Sequence, residues 1–207
     1  GGAFAKTVVE DDIHTANQQT VGLSERDTAK TFIYALIYGA GDEKIGSIVH
    51  PYGTKNQKVK AGKELKKLFF TRIPALEKVM NGVQAKISQR EREYGFSFLT
   101  GMDGRRLPIR SMHSALNTLL QNAGSLIMKA TPVFTHNQLQ FEGYTWGVDY
   151  AQMLHVHDEA QYASDPQIAG HLGQTAQWAI EETGRFFDFR CQLDGEYKIG
   201  QNWSETH

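Results

Sequence analysis

Residues 26–41 read RDTAKTFIYALIYGAG, and this stretch decides what kind of chain it is. Ser24 stands before it as a helix N-cap, and Glu25 and Asp27 fall in the first turn, where a helix dipole favours anions. The helix is expected to stop at Gly39-Ala40-Gly41, where glycine accepts the left-handed conformation that ends helices. Arg26, Lys30, Tyr34 and Tyr38 recur at steps of four. Each step turns the helix by about 400°, so the row drifts only about 40° per step and stays on one face. Arg26 to Tyr34 spans about 12 Å. That is close to the reach from a terminal phosphate to a sugar and base. Two cations near a helix N-terminus suit phosphates, and two aromatics further along suit a sugar or base. An ordinary amphipathic helix, with its tyrosines in the core and its cations solvated, gives the same spacing. His14, on a preceding helix read at 12–23, is a candidate third phosphate contact; a lone histidine is more often structural.

Outward from this helix, Asp42 reads as the cap of a short helix, DEKIGSIV, and Pro51-Tyr52-Gly53 as a turn. Helices are predicted at 57–70 and 74–93, parted near Pro74. Residues 95–109 alternate around Asp103-Gly104, a hairpin signal. A long helix follows at 112–130, strands about a tight turn at 143–161, a helix at 166–186 and a strand at 189–199. Helices come first and a mixed region later, so the expected class is α+β rather than alternating βαβ.

The 207 residues suffice for a buried core. The single cysteine, Cys191, excludes an internal disulfide framework and a CxxC zinc site. No run of apolar residues is long enough for a transmembrane helix, and no signal peptide is expected from the opening GGAFAKTVVEDD, which lacks a basic n-region and a long apolar h-region. The start, GGAFAKTVVEDD, reads like the middle of a domain and suggests a fragment. The net charge of −1 hides an uneven distribution. Residues 1–43 carry −4, residues 44–110 carry +10 and residues 111–207 carry −7. The middle third is a candidate phosphate-contacting surface, concentrated at Lys55, Lys58, Lys60, Lys63, Lys66 and Lys67; a solvated helix face would look the same.

Two further groups stand out. In MLHVHDEAQ, an apolar strand leads into Asp158 and Glu159. A regular strand would send these carboxylates to opposite faces, so only a tight turn brings both to one site. A carboxylate there suits a hard cation such as Mg²⁺. His155 and His157 share a face, which leaves a transition-metal site open, as it leaves open a polar turn that binds nothing. Arg110, His113, Asn117 and Gln121 form the other group, the last three at steps of four. Amides so spaced can read groove acceptors of a duplex, or be plain helix surface.

Together these residues resemble the C-terminal part of a family A (Pol I-like) DNA polymerase, most of all its phage replicative branch. RDTAKTFIYALIYGAG resembles that family's motif B, R-x-x-x-K-x-x-x-[FY]-x-x-x-Y-G. VHDE resembles motif C, and HSALNTLLQNAG the helix between them. The resemblance runs from His14 to His207.

The resemblance implies roles. His14, Arg26 and Lys30 would hold the triphosphate of an incoming dNTP, and Lys30 would protonate the leaving pyrophosphate. Tyr34 would sense the sugar and tolerate dideoxynucleotides, and Tyr38 and Gly39 would border the templating base. Asp158 would be one of two aspartates holding two Mg²⁺ ions, with Glu159 beside it in a lesser catalytic role. His157 would touch the primer end, and His113, Asn117 and Gln121 would line the minor groove of primer-template DNA. In this frame residues 1–94 are fingers-like and residues 95–207 palm-like. In-line nucleotidyl transfer is the implied chemistry, in the cytoplasm of a bacterium or of an infected host, with no membrane contact. No D-x-S-x-x-E motif A precedes His14, so a missing upstream segment, in cis or in trans, is expected to supply the second aspartate, and this chain alone is expected to be inactive. A non-catalytic DNA-binding remnant and a metal-dependent hydrolase using His155, His157 and Asp158 remain the alternatives.

Overall fold

A computed structural model describes residues 12–207 together with Lys6. The chain packs as two compact units, one ending at Gln121 and the other running from Asn122 to His207.

The first unit is a stack of helices followed by a small hairpin. Helix α1 spans Ile13–Val21. Its N-cap is Asp12, which accepts from the His14 amide at 3.0 Å and from Thr15 Oγ1 at 2.8 Å. Helix α2 spans Arg26–Ile37. Ser24 does not cap it: Glu25 takes the N-cap position without a side-chain bond, so the helix starts one residue later than the sequence suggested. Gly39 ends it as expected, at φ +79°. Helix α3 spans Asp42–Val49, with Gly41 rather than Asp42 at the cap and Asp42 in the first turn.

Helix α4 spans Lys55–Arg72 and starts from a capping box in which Thr54 and Gln57 satisfy each other's backbone amides. Pro74 opens helix α5, Pro74–Tyr94, in the first turn, where its missing N–H costs nothing. The core of this stack is Val21, Phe32, Ile33, Leu36, Ile45, Leu65 and Phe69. Burying side chains of this size contributes about 1.5–3 kcal/mol each. Helices α3 and α4 approach so closely that no side chain fits between them at two points. A Cβ on Gly46 would overlap the Lys58 carbonyl, and one on Gly62 would overlap the Asp42 carbonyl.

The hairpin pairs β1, Phe98–Thr100, with β2, Arg106–Pro108, antiparallel, with Leu99 opposite Leu107. It packs on α5 through Leu99 and Ile87, and Ala115 completes that cluster. This packing is why the first unit extends to Gln121. Compactness divides the chain after Gln121, where the sequence reading placed a boundary at 94/95.

A 3₁₀ turn at Met112–Ser114 precedes helix α6, Ala115–Phe141. This helix outruns the predicted end at residue 130 and carries Pro132 inside it. Interior proline ordinarily breaks a helix. Here the turns around it are anchored by buried residues, Thr135 and Leu139, both at 0% exposure.

In the second unit β3, Tyr150–Val156, pairs antiparallel with β4, Glu159–Ser164, with a register shift between Gln152 and Leu154. Leu139, Tyr150 and Leu172 form its core, packed by Tyr144, Tyr162 and Ile168. Helix α7 runs Ala169–Phe186 and a short helix α8 spans Trp203–Thr206. The predicted strand at 189–199 is absent: this stretch is irregular. Two of its apolar residues seat singly instead, Leu193 against Gly184 and Tyr197 against Gly173. Such isolated contacts need no ladder.

Candidate active site

The row on α2 is built by the helix's other face. Ala29, Phe32, Ile33 and Leu36 are buried, which turns Arg26, Lys30, Tyr34 and Tyr38 outward. Tyr34 and Tyr38 are 43% and 49% exposed, so they are not core tyrosines. Their ring centroids lie 6.0 Å apart, and the His14 ring lies 6.1 Å from that of Tyr34. His14, Tyr34 and Tyr38 therefore line one surface. His14 Nδ1 is buried and has no hydrogen-bond partner among the described residues. Lys30 is exposed and makes no ion pair among the described residues.

Arg26 is engaged. Its Nε donates to Asp12 Oδ2 at 2.6 Å and its Nη2 to Oδ1 at 3.1 Å, a two-pronged pair. The Arg26 guanidinium, with Thr15, holds the Asp12 carboxyl well below its usual range, and Asp12 in turn raises Arg26. The sequence contained this contact only as Asp11-Asp12 before a helix. Nothing in the spacing from 12 to 26 announces it.

Gly39 brings a further element to the row. A Cβ there would overlap the backbone carbonyl of His113, and φ is left-handed as well. Only glycine permits this approach of Tyr38-Gly39 to the start of α6. His113 itself lies in the 3₁₀ turn, outside the regular helix that carries Asn117 and Gln121, so the three do not share one α-helical row. His113 and Gln121 are exposed; Asn117 Oδ1 is buried without a partner among the described residues. Arg110 is exposed ahead of this turn.

The lysine run is less uniform than its charge. Lys66 is half-buried; its Nζ meets Asp42 Oδ1 at 2.8 Å and donates to the Ala40 carbonyl at 3.1 Å. It ties the loop after α2 to α4 and is a structural cation. Lys55 pairs with Glu43 at 3.8 Å and Lys60 with Glu64 at 4.0 Å, both exposed and weak. Lys63 and Lys67 are exposed.

In the second unit His157 and Asp158 form the two-residue turn between β3 and β4, with Val156 opposite Glu159. His157 takes a left-handed φ of +51°. Asp158 is exposed and makes no hydrogen bond or ion pair among the described residues, so its carboxylate is available to a cation. Glu159 is occupied. It accepts from Gln161 Nε2, from Trp203 Nε1 at 2.9 Å and from His207 Nδ1 at 2.7 Å. Gln161 and then His207 hold its carboxyl below the usual range. Thr206 also donates to Gln161 Oε1 at 3.0 Å. Residues 203–207 thus dock on β4 beside the turn, a contribution the sequence did not announce. The aromatic of NWSETH was its one signal.

His155, His157 and Asp158 do not gather: among the described residues no three His, Cys, Asp or Glu side chains are placed to hold a metal ion. The turn fits Mg²⁺ as a donor of a single free carboxylate, with the other ligands to come from elsewhere.

The fold belongs to a known class. It superposes on the POL domain of Pol1 from M. smegmatis, solved in complex with DNA primer-template and dNTP, with a TM-score of 0.70 over 88% of this chain and 33% of that one, at 16% identity. Residues 4–205 match the model of DNA polymerase family A, and the chain belongs to that family. It is 41% identical to the DNA-directed DNA polymerases of Enterobacteria phage T3 and Escherichia phage T7, across the whole of this chain and 30% of each of theirs. The polymerase of Escherichia phage Phieco32 is 32% identical over 99% of this chain. The chain thus spans about a third of the length of these relatives. Among the described residues no helix is long and apolar enough to cross a membrane.

Proposed function

We propose that this chain supplies the nucleotide-binding helix and the motif C turn of a template-directed DNA polymerase, fingers over residues 1–94 and palm over 95–207. The observation that carries the reading is the exposed row on α2, with the His14 ring against Tyr34 beside it. A buried apolar face holds two cations and two aromatics in the order a nucleoside triphosphate presents phosphate, sugar and base.

Lys30 meets the triphosphate directly and can give a proton to the leaving pyrophosphate. Arg26 joins it by exchanging Asp12 for phosphate oxygens, a swap of one bidentate anion for another. His14 adds a third contact. Tyr34 packs on the sugar, while Tyr38 and Gly39 border the templating base. His113, Asn117 and Gln121 face the minor groove of primer-template DNA, and His157 the primer end. Asp158 contributes one ligand to Mg²⁺, and Glu159, held by the 203–207 segment, stays beside it. Bound magnesium supplies charge for the attacking and leaving oxygens; the chain's own task is to position the reactants.

The same reading explains Met153, Leu154 and Val156, which β3 exposes at 63%, 41% and 39%. An upstream polymerase segment, in cis or in trans, would cover them and bring the second aspartate. The reaction is proposed for the bacterial or infected-host cytoplasm.

The test is single-nucleotide primer extension with the chain alone and with an upstream segment carrying motif A. Extension is expected only with both, and only without Asp158→Ala. Extension by the chain alone overturns the dependence. No extension in any combination, with DNA still bound, leaves a DNA-binding remnant using the basic 44–110 region.

A further inference from the structure

We propose that Tyr94, Phe96 and Arg106, at the junction of α5 and the β1–β2 hairpin, form a stacking platform for single-stranded DNA. Tyr94 and Phe96 are 54% and 46% exposed. Both lean on Phe98, which is buried: Phe96 stacks on it at 5.0 Å between centroids and 27° between planes, and Tyr94 meets it edge-on at 5.5 Å. The Arg106 guanidinium lies 5.0 Å from the Phe98 centroid and 5.7 Å from that of Tyr94. Arg90 also lies against Phe98, 4.6 Å from its ring and donating to its carbonyl.

Two half-exposed rings thus lean on one buried ring. An apolar partner would not explain the guanidinium among them, and a simple anion would not explain the rings. A polyanion carrying π-faces explains both, because bases stack on aromatics and phosphates meet arginine. Arg92 and Arg110 are exposed nearby and form no ion pair among the described residues. Of the local acids, Asp103 is already paired with Arg105, while Glu91 and Glu93 remain as opposing charges, Glu93 accepting from the neutral Gln89 amide at 2.6 Å. A single strand is favoured over a duplex because stacked pairs do not offer base faces to side chains.

The platform goes beyond the proposed nucleotide transfer, since binding there needs no motif C carboxylate and no second segment. It is tested on the 207-residue chain by fluorescence anisotropy. The probes are a labelled oligothymidylate, an abasic strand of equal length and a blunt duplex. The oligothymidylate is expected to bind roughly tenfold or more tightly than the abasic strand. Tyr94→Ala/Phe96→Ala should remove that margin and leave the salt slope unchanged. Arg106→Gln keeps both rings and should lower the salt slope by about 0.7, the value for one phosphate of a single strand. Equal binding of base-bearing and abasic strands overturns the proposal. So does a duplex affinity that falls as far as the oligothymidylate's in Tyr94→Ala/Phe96→Ala, or wild-type affinity in both variants. If Tyr94→Ala/Phe96→Ala instead abolishes self-association in sedimentation with DNA affinity unchanged, the rings belong to a chain–chain contact and the platform is overturned. Should the double variant melt early, Arg106→Gln alone decides.

Discussion

The α1–α2 surface and the β3–β4 turn carry the two halves of one proposed reaction, and they are built in opposite ways. On α2 a single helix places four side chains in a row, and a buried face fixes their direction. The turn places two adjacent carboxylates, and the chain then treats them differently: Asp158 stands free, while Glu159 is held by Trp203 and His207. A helix can prepare a site from local sequence alone. A turn cannot, and borrows its order from residues more than forty positions away.

The sharpest way to break this contrast is at the free carboxylate. In the completed polymerase, Asp158→Ala is expected to lower the rate of nucleotide incorporation by about a thousandfold or more, in keeping with the loss of a group that holds transition-state charge. Glu159→Gln should cost far less, because its neighbours can still bond the amide. Equal losses in rapid-quench incorporation would mean that both carboxylates do the same work.

On the helical side the largest effect is structural. Gly39→Ala must force a left-handed residue and a clash with the His113 carbonyl, an expected cost of about 2–5 kcal/mol. Chemical denaturation of the chain measures it; a change within error would show that the Tyr38-Gly39 junction is looser than described.

Asp12→Asn sharpens the comparison through two opposing signs. It should lower the melting midpoint by only a few degrees, since asparagine still caps α1. It should also tighten triphosphate binding, because Arg26 no longer has a charged partner to leave. Unchanged binding in a fluorescent-nucleotide titration would mean that Arg26 never exchanges partners.

The smallest effect is in acid. The Asp12 and Glu159 carboxyls are both depressed. Their stabilising contribution is therefore present above the ordinary carboxylate range and lost as pH falls below about 4. Melting midpoints followed downward in pH should show this loss, and Asp12→Asn should remove the share that belongs to α1.

The helices were legible because each carries its own period and punctuation: Gly39 ended α2, and Pro74 parted α4 from α5. The misses have physical causes. Ser24 yielded its cap to Glu25 by one residue. Pro132 sits inside α6 because Thr135 and Leu139 are buried beyond it. Residues 189–199 alternate like a strand, yet Leu193 and Tyr197 fill separate notches at Gly184 and Gly173. The row on α2 could be read from spacing. The Asp12 grip on Arg26 and the docking of residues 203–207 could not, because neither leaves a periodic trace.

The paired glycine notches between α3 and α4 carry a kinetic consequence. With Gly46 against the Lys58 backbone and Gly62 against that of Asp42, neither helix can slide or fray past the other by a partial step. Their amides should exchange with deuterium together, through one cooperative opening of the helical stack, as a single foldon.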